Sequence, residues 1–246
     1  MSYTVIPARA AGRRLALVAS LAALLAGAAG CGARGPGAVR RAPGVPVREA
    51  AAVEARFAGI PQGGIALGRP SAPLTLVEFG DLQCPFCRHF ALRTLPTLLA
   101  RYVRPGRLRL EFRNVPLLGP DSARAARVAM AAASQDRLWE FVDLFYVNQR
   151  RENTGYVTDD FLRAIAAGVR GLDPAAALQA RGATAIGAQL TQNLALARQI
   201  GIPGTPTFLL GRTGGTLRRL VLPSLEPPPF LAIVDAMLRG GPARRG

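Results

Sequence analysis

The chain has 246 residues, half of them apolar and 19% charged. That is enough hydrophobic material for a packed core and too much for wholesale disorder. Its 31 basic residues, every one Arg, outnumber 15 acidic ones for a net charge of +16, but they are thinly spread, without a basic stripe interleaved with aromatics, so nucleic acid is not an expected partner. Three Cys and one His leave no spare ligands for a zinc site.

In chain order, Arg9, Arg13 and Arg14 come first and precede an apolar block from Leu15 to Gly30; the first acid is Glu49. A positive start, an apolar middle and small residues at the end form a secretory signal pattern. The block is short of the ~20 residues a spanning helix needs, so cleavage is expected rather than permanent insertion. Ala26-Gly27-Ala28 fits one cleavage site. Ala28-Ala29-Gly30-Cys31 looks like a bacterial lipobox with Cys31 as the lipidated residue, and this reading is preferred because Cys31 is otherwise an odd thiol in an exported protein. An uncleaved N-terminal anchor is the third option. Every version places residues beyond 1–31 outside the cytoplasm, attached to the cell membrane by a lipid or an N-terminal anchor in the second and third cases. Residues 32–62, rich in Gly, Pro, Ala and Arg, read as a tether.

The folded part starts near residue 63. Leu74 to Phe79 is a nearly continuous apolar run, as expected of a strand buried on both faces. Gly80-Asp81 turns the chain, and Cys84-Pro85-Phe86-Cys87 opens a helix with apolar residues at Phe90, Leu92, Leu95, Leu98 and Leu99. Pro85 suits a first turn, and Pro96 predicts a kink. Leu108 to Val115 alternates apolar and polar residues, a second strand. Residues 121–200 read as helices only. Asp121-Ser122, Thr158 and Asp173 supply caps, and Trp139, Phe141, Phe145 and Tyr146 supply core. Strand character returns at Thr207–Leu210 and Thr216–Leu222, and a last helix starts at Pro227–Pro229. The expected organisation is a small α/β domain in two parts, 63–120 and 201–240, divided by a helical insertion over 121–200.

A Cys-x-x-Cys at a helix start has a specific use. The first thiol sits among unpaired backbone N–H groups at the positive end of the helix dipole, which favours thiolate over thiol. The second lies one turn on, close enough to form a disulfide with the first. Such a pair is a disulfide-exchange device. Zinc would need four ligands, and only His89 and Cys31 remain. Haem attachment needs His directly after the second Cys, where this chain has Arg88. An inert structural disulfide is disfavoured because a two-residue loop is strained.

Glu78-Phe79-Gly80-Asp81-Leu82-Gln83-Cys84-Pro85-Phe86-Cys87 resembles the active-site segment of DsbA-like thiol:disulfide oxidoreductases of the thioredoxin superfamily. Gly201-Ile202-Pro203-Gly204-Thr205-Pro206-Thr207-Phe208 is similar to that superfamily's cis-proline loop. The resemblance covers about residues 65–240 and implies a thioredoxin-like α/β fold, a central mixed sheet flanked by helices, with an inserted helical domain. It implies Cys84 as the attacking nucleophile, Cys87 as the resolving thiol, Pro206 as the cis-proline facing them, and Glu78 as a buried proton acceptor for the resolving thiol. Thr205, with Pro85 and Phe86, would meet an extended substrate. His89, one turn beyond the motif, is read either as tuning the thiolate or as an ordinary helix surface residue. No cofactor and no metal are implied. The implied partners are reduced or misoxidised exported proteins and a membrane quinone-linked thiol oxidase. Phe86 stands where strong oxidases of the family often carry His, and Thr205 where they often carry Val. A reductase or isomerase kept reduced by a membrane donor is therefore the alternative within the chemistry, and a non-catalytic peptide-binding lipoprotein the alternative outside it.

Overall fold

The computed structural model describes residues 45–240. Residues 1–44, which include the stretch read as a signal segment and Cys31, lie outside the described residues. Among the described residues no helix is long and apolar enough to cross a membrane.

The chain forms one six-stranded mixed sheet. Its strands are β1 (Gln62–Gly63), β2 (Ala66–Leu67), β3 (Leu74–Gly80), β4 (Leu108–Asn114), β5 (Thr207–Arg212) and β6 (Leu217–Arg219), in the order β1-β2-β4-β3-β5-β6. β3 is central, parallel to β4 and antiparallel to β5. Every residue of β3 is buried, because both faces of the sheet are covered. Leu74 and Leu76 join the large core, while Val77 and Phe79 join a second cluster with Val115 and Ala197. This is the physical reason for the unbroken apolar run. β4 alternates instead, with Leu108, Leu110 and Phe112 buried. Glu111 on its other face accepts hydrogen bonds from Arg109 at 2.7 Å and Arg113 at 3.3 Å.

β3 and β4 are joined by a helical crossover made of α2 (Pro85–His89), a π turn (Phe90–Thr94), α3 (Leu95–Leu98) and a second π turn (Leu99–Val103). The expected break at Pro96 takes the form of the first π turn. Proline has no N–H to donate, and the Leu95 N–H reaches back five residues to the Phe90 carbonyl, widening the turn ahead of it.

Residues 120–199 hold α4 (Pro120–Ala133), α5 (Leu138–Val147), α6 (Asp159–Ala167), α7 (Pro174–Ala180) and α8 (Thr184–Gln199), with no strand among them. The Thr158 hydroxyl caps α6 by accepting from the Phe161 N–H, and Asp173 caps α7 by accepting from the Ala175 and Ala176 N–H groups. α4 differs from expectation. Gly119 is its N-cap and Pro120 its first residue, so Asp121 and Ser122 are free to point inward. The strand expected over 216–222 is limited to Leu217–Arg219. α9 (Pro227–Arg239) closes the domain, with Phe230 against Phe90 and Phe208 at ring-centroid distances of 5.2 and 5.0 Å.

The tether expected over 32–62 is corrected over its described part, residues 45–62. Residues 50–57 form α1 (Ala50–Phe57), and Val53, Phe57 and Ile60 lie in the core. The segment is bolted to α5. Arg56 donates to the buried carboxylate of Asp143, Gln62 Nε2 to Glu140 Oε1 at 2.6 Å, and the Arg48 backbone N–H to Asn148 Oδ1 at 2.9 Å. Composition suggested a linker because Ala and Arg dominate. Three apolar side chains with a docking face are enough to order it.

Candidate active site

β3 ends at Gly80, and residues 81–84 turn its C-terminal end into α2. A Cβ at Gly80 would come 2.5 Å from the Phe112 ring, so glycine is needed for the close approach of β4. Cys84 is the N-cap of α2 in extended conformation, and its Sγ accepts from the Cys87 backbone N–H at 3.4 Å. In the thiol form Sγ also donates to the Thr205 carbonyl oxygen at 3.2 Å. The Thr205–Pro206 peptide bond is cis, and the Cys84–Thr205 contact sets this segment before β5 against Cys84. Both cysteines are free thiols and buried. Pro85 and Phe86 are exposed beside them, Phe86 at 64%.

The two thiols are electrostatically different. Cys84 is pulled from 9.0 down to about 6, chiefly by the hydrogen bond from the Cys87 side chain, with burial opposing and with help from the Thr205 side chain and the Cys87 and Phe86 backbone. Cys87 is pushed well above the ordinary thiol value, first by burial and then by its bond to Cys84 and the nearby Glu78 charge. Glu78 on β3 is also buried, and its carboxyl rises from 4.5 to about 8 through burial and the neighbouring Cys84 charge. Its Oε1 has no hydrogen-bond partner among the described residues. Leu76, Phe90, Leu110 and Trp139 pack around it and leave no space for a water molecule. A thiol with a lowered value, a second thiol with a raised one and a carboxyl with a raised one thus lie within one electrostatic unit.

Cys84, Cys87, Glu78, Thr205, Pro206, Pro85 and Phe86 therefore come together. His89 does not. Its Nε2 lies 2.8 Å from Glu226 Oε1 on the half-exposed side of α2, and the expected role beside the Cys84 thiolate is corrected. A helix places residue i+5 well round from residue i, and Glu226, just ahead of α9, holds the ring there. Trp139, Phe141, Phe145 and Tyr146 are buried core. No cluster of His, Cys, Asp and Glu suited to a metal occurs among the described residues.

One layer escaped sequence reasoning. Asp81 is fully buried. Its Oδ1 accepts from the Gln83 N–H at 2.8 Å and the Ser122 hydroxyl at 2.6 Å. Its Oδ2 accepts from the Leu117 and Leu118 N–H groups at 2.7 and 2.9 Å. Gln83, also buried, donates to the Leu118 carbonyl at 3.0 Å and accepts from the Asn153 N–H at 2.9 Å. α5 and the turn after it supply further bonds. The Tyr146 hydroxyl donates to the Asp81 carbonyl at 3.1 Å, and Gln149 Nε2 donates to the carbonyls of Leu82 at 2.8 Å and Cys84 at 3.2 Å. The helical block thus grips the active-site loop from behind. In the sequence Asp81 reads only as a turn former, with no local sign of these partners.

A thioredoxin family model matches residues 61–214. The chain is 38% identical over 102 residues to a probable disulfide bond formation protein D of Bacillus cereus, covering 41% of this chain and 47% of that one. It is 26% identical over 149 residues to the disulfide bond formation protein D of Bacillus subtilis, covering 60% and 67%. The match spans less than half the length of the Bacillus cereus and Bacillus anthracis relatives. Among solved structures, oxidised BdbD of Bacillus subtilis superposes with a TM-score of 0.62 at 22% identity, over 74% of this chain and 99% of that one. Wolbachia pipientis alpha-DsbA1 gives 0.62 at 21% identity, over 72% and 91%. These two likenesses are of fold.

Proposed function

The chain belongs to the thioredoxin superfamily as a DsbA-like protein, and from that premise we propose that it is an exported thiol:disulfide oxidoreductase acting through Cys84 and Cys87. The observation that carries this reading is the placement of Cys84 as the N-cap of α2, its Sγ accepting from the Cys87 N–H at 3.4 Å and lying 3.2 Å from the Thr205 carbonyl next to cis-Pro206, which lowers the Cys84 thiol while burial raises Cys87.

In the oxidising direction a substrate thiolate attacks Cys84 Sγ of the Cys84–Cys87 disulfide. The sulfur–sulfur bond breaks and its electron pair leaves on Cys87, which takes up a proton; the neutral Glu78 carboxyl is the buried group able to give one. A second substrate thiolate then attacks the substrate sulfur of the mixed disulfide and expels Cys84 as a thiolate. The substrate leaves oxidised and the protein reduced. Cys84 is the better leaving group because its thiolate is the stabilised one. The same stabilisation favours the reduced state and makes the pair oxidising. A Cys84 value lowered from 9.0 to about 6 has the direction that favours disulfide exchange. Thr205, Pro206, Pro85 and the exposed Phe86 form the surface a substrate chain meets.

Reduced exported proteins are the substrates in this reading, and a membrane quinone-linked thiol oxidase restores the disulfide. Disulfides persist outside the cytoplasm, and the signal-like residues 1–31, with Cys31 as the lipid-bearing position, would put the domain there. The deciding experiment is thiol trapping of Cys84 and Cys87 in intact cells, with and without the candidate oxidase. A disulfide that becomes a dithiol when the oxidase is removed supports this direction. A dithiol in both strains identifies a reductase or isomerase.

A further inference from the structure

The acidity of Cys84 has an unusual origin in this chain. Among the described residues, none of the main groups that lower the Cys84 value is a cation. Phe86 occupies the middle of the motif, His89 is held by Glu226, and the Arg88 guanidinium donates to the Tyr146 carbonyl at 3.0 Å. What remains are neutral donors: the Cys87 side chain, the Thr205 side chain, and the Cys87 and Phe86 backbone. Neutral donors act only when aimed, since dipole interactions fall off steeply with angle. The aim depends on the N-cap conformation of Cys84, with φ −67° and ψ 121°.

The carbonyls of Leu82 and Cys84 flank the two-residue stretch Gln83–Cys84 that leads into α2, and one side chain holds both. Gln149 Nε2 lies 2.8 Å from the first and 3.2 Å from the second. The Cys84 carbonyl also accepts the first helical bond of α2, from the Arg88 N–H at 3.1 Å. Gln149 follows α5 directly, 65 residues from Cys84. Its amide also sets positive hydrogens beside the residue that must carry the thiolate and offsets the negative end of that residue's own carbonyl.

We infer that Gln149 is a positioning residue for the reaction: a side chain of the helical block that fixes the Leu82 and Cys84 carbonyls and so sets the nucleophilicity of Cys84. The inference rests on the dithiol chemistry proposed above. It makes the helical block part of the thiol's tuning as well as of the fold.

The test is the pH profile of Cys84 alkylation in the reduced full-length protein, read by peptide mapping so that Cys31 and Cys87 are counted separately. Gln149→Leu keeps the bulk and removes both donors; its midpoint should rise by about half a unit, seen as a threefold slower reaction at pH 5. Gln149→Glu keeps the shape but faces the carbonyls with negative charge; its midpoint should rise by about one unit, a tenfold slowing at pH 5. Thermal unfolding of each oxidised variant is measured in parallel. A lowered melting temperature with an unmoved midpoint in both variants overturns the inference, since it makes Gln149 a purely structural tie. If the wild-type midpoint itself lies near 8.5, the dithiol reading fails first, and the two failures are told apart.

Discussion

Cys84 Sγ lies 3.2 Å from the carbonyl oxygen of Thr205, a residue 121 positions further along the chain. That contact joins the two halves of the sheet across the site. It sets Cys84, at the mouth of α2, directly against the segment leading into β5.

Cys84→Ser should abolish disulfide exchange, measured as thiol-dependent reduction of insulin. Cys87→Ser should instead trap a mixed disulfide, visible as a covalent adduct on a non-reducing gel. Retained turnover by the Cys84 variant would sink the mechanism.

Glu78 gives a pH signature. Its carboxyl stays protonated in the folded state up to about pH 8 but ionises from 4.5 in the unfolded chain. The unfolded state therefore binds fewer protons across that window, and stability falls as pH rises, by up to about 1.4 kcal/mol per unit. Glu78→Gln should gain on the wild type as pH goes from 5 to 8. Urea titrations of the reduced proteins at both pH values measure the gap, and a constant gap would show that this carboxyl does not titrate as described.

The Cys84 thiol carries the opposite sign. Its folded value is depressed from 9.0 to about 6, so the reduced folded state binds fewer protons than the unfolded one between those limits. The dithiol form should gain stability relative to the disulfide form as pH rises from 6 to 9, and lose that gain as pH falls through 6. The slope is at most about 1.4 kcal/mol per unit. Parallel melts of the two redox forms across this range provide the check.

Asp81→Ala should cost about 3 kcal/mol or more. It strips an acceptor from the Leu117, Leu118 and Gln83 N–H groups and from the Ser122 hydroxyl, and buried donors left unpaired are expensive. Denaturant unfolding measures this. A loss below about 1 kcal/mol would mean that water replaces the carboxylate.

Arg56→Met tests the N-terminal segment. Asp143 is buried, and its carboxyl rises to about 7 through burial even with the Arg56 charge beside it. Without Arg56 that value rises further, so ionising Asp143 in the folded state costs more. The stability gap between wild type and variant should widen as pH climbs past 7, and a pH-independent gap would rule out the ion pair as its source.

Much of this molecule is written in short stretches of its sequence. The unbroken run in β3, the alternation in β4, Pro85 after a capping Cys84, the caps at Thr158 and Asp173 and the breaker at Pro96 each depend on residues a few positions apart, so local periodicity and backbone stereochemistry determine them. What the tertiary structure decided is the fate of polar side chains whose partners lie far off in the chain. Asp81 meets Ser122, Gln149 meets Cys84, His89 turns to Glu226 and Arg56 finds Asp143 across 41, 65, 137 and 87 residues. A carboxyl or an amide looks the same in sequence whether water or protein will surround it. Only packing removes the water, and only then do burial and hydrogen-bond direction set the charge that Glu78 and the two thiols carry.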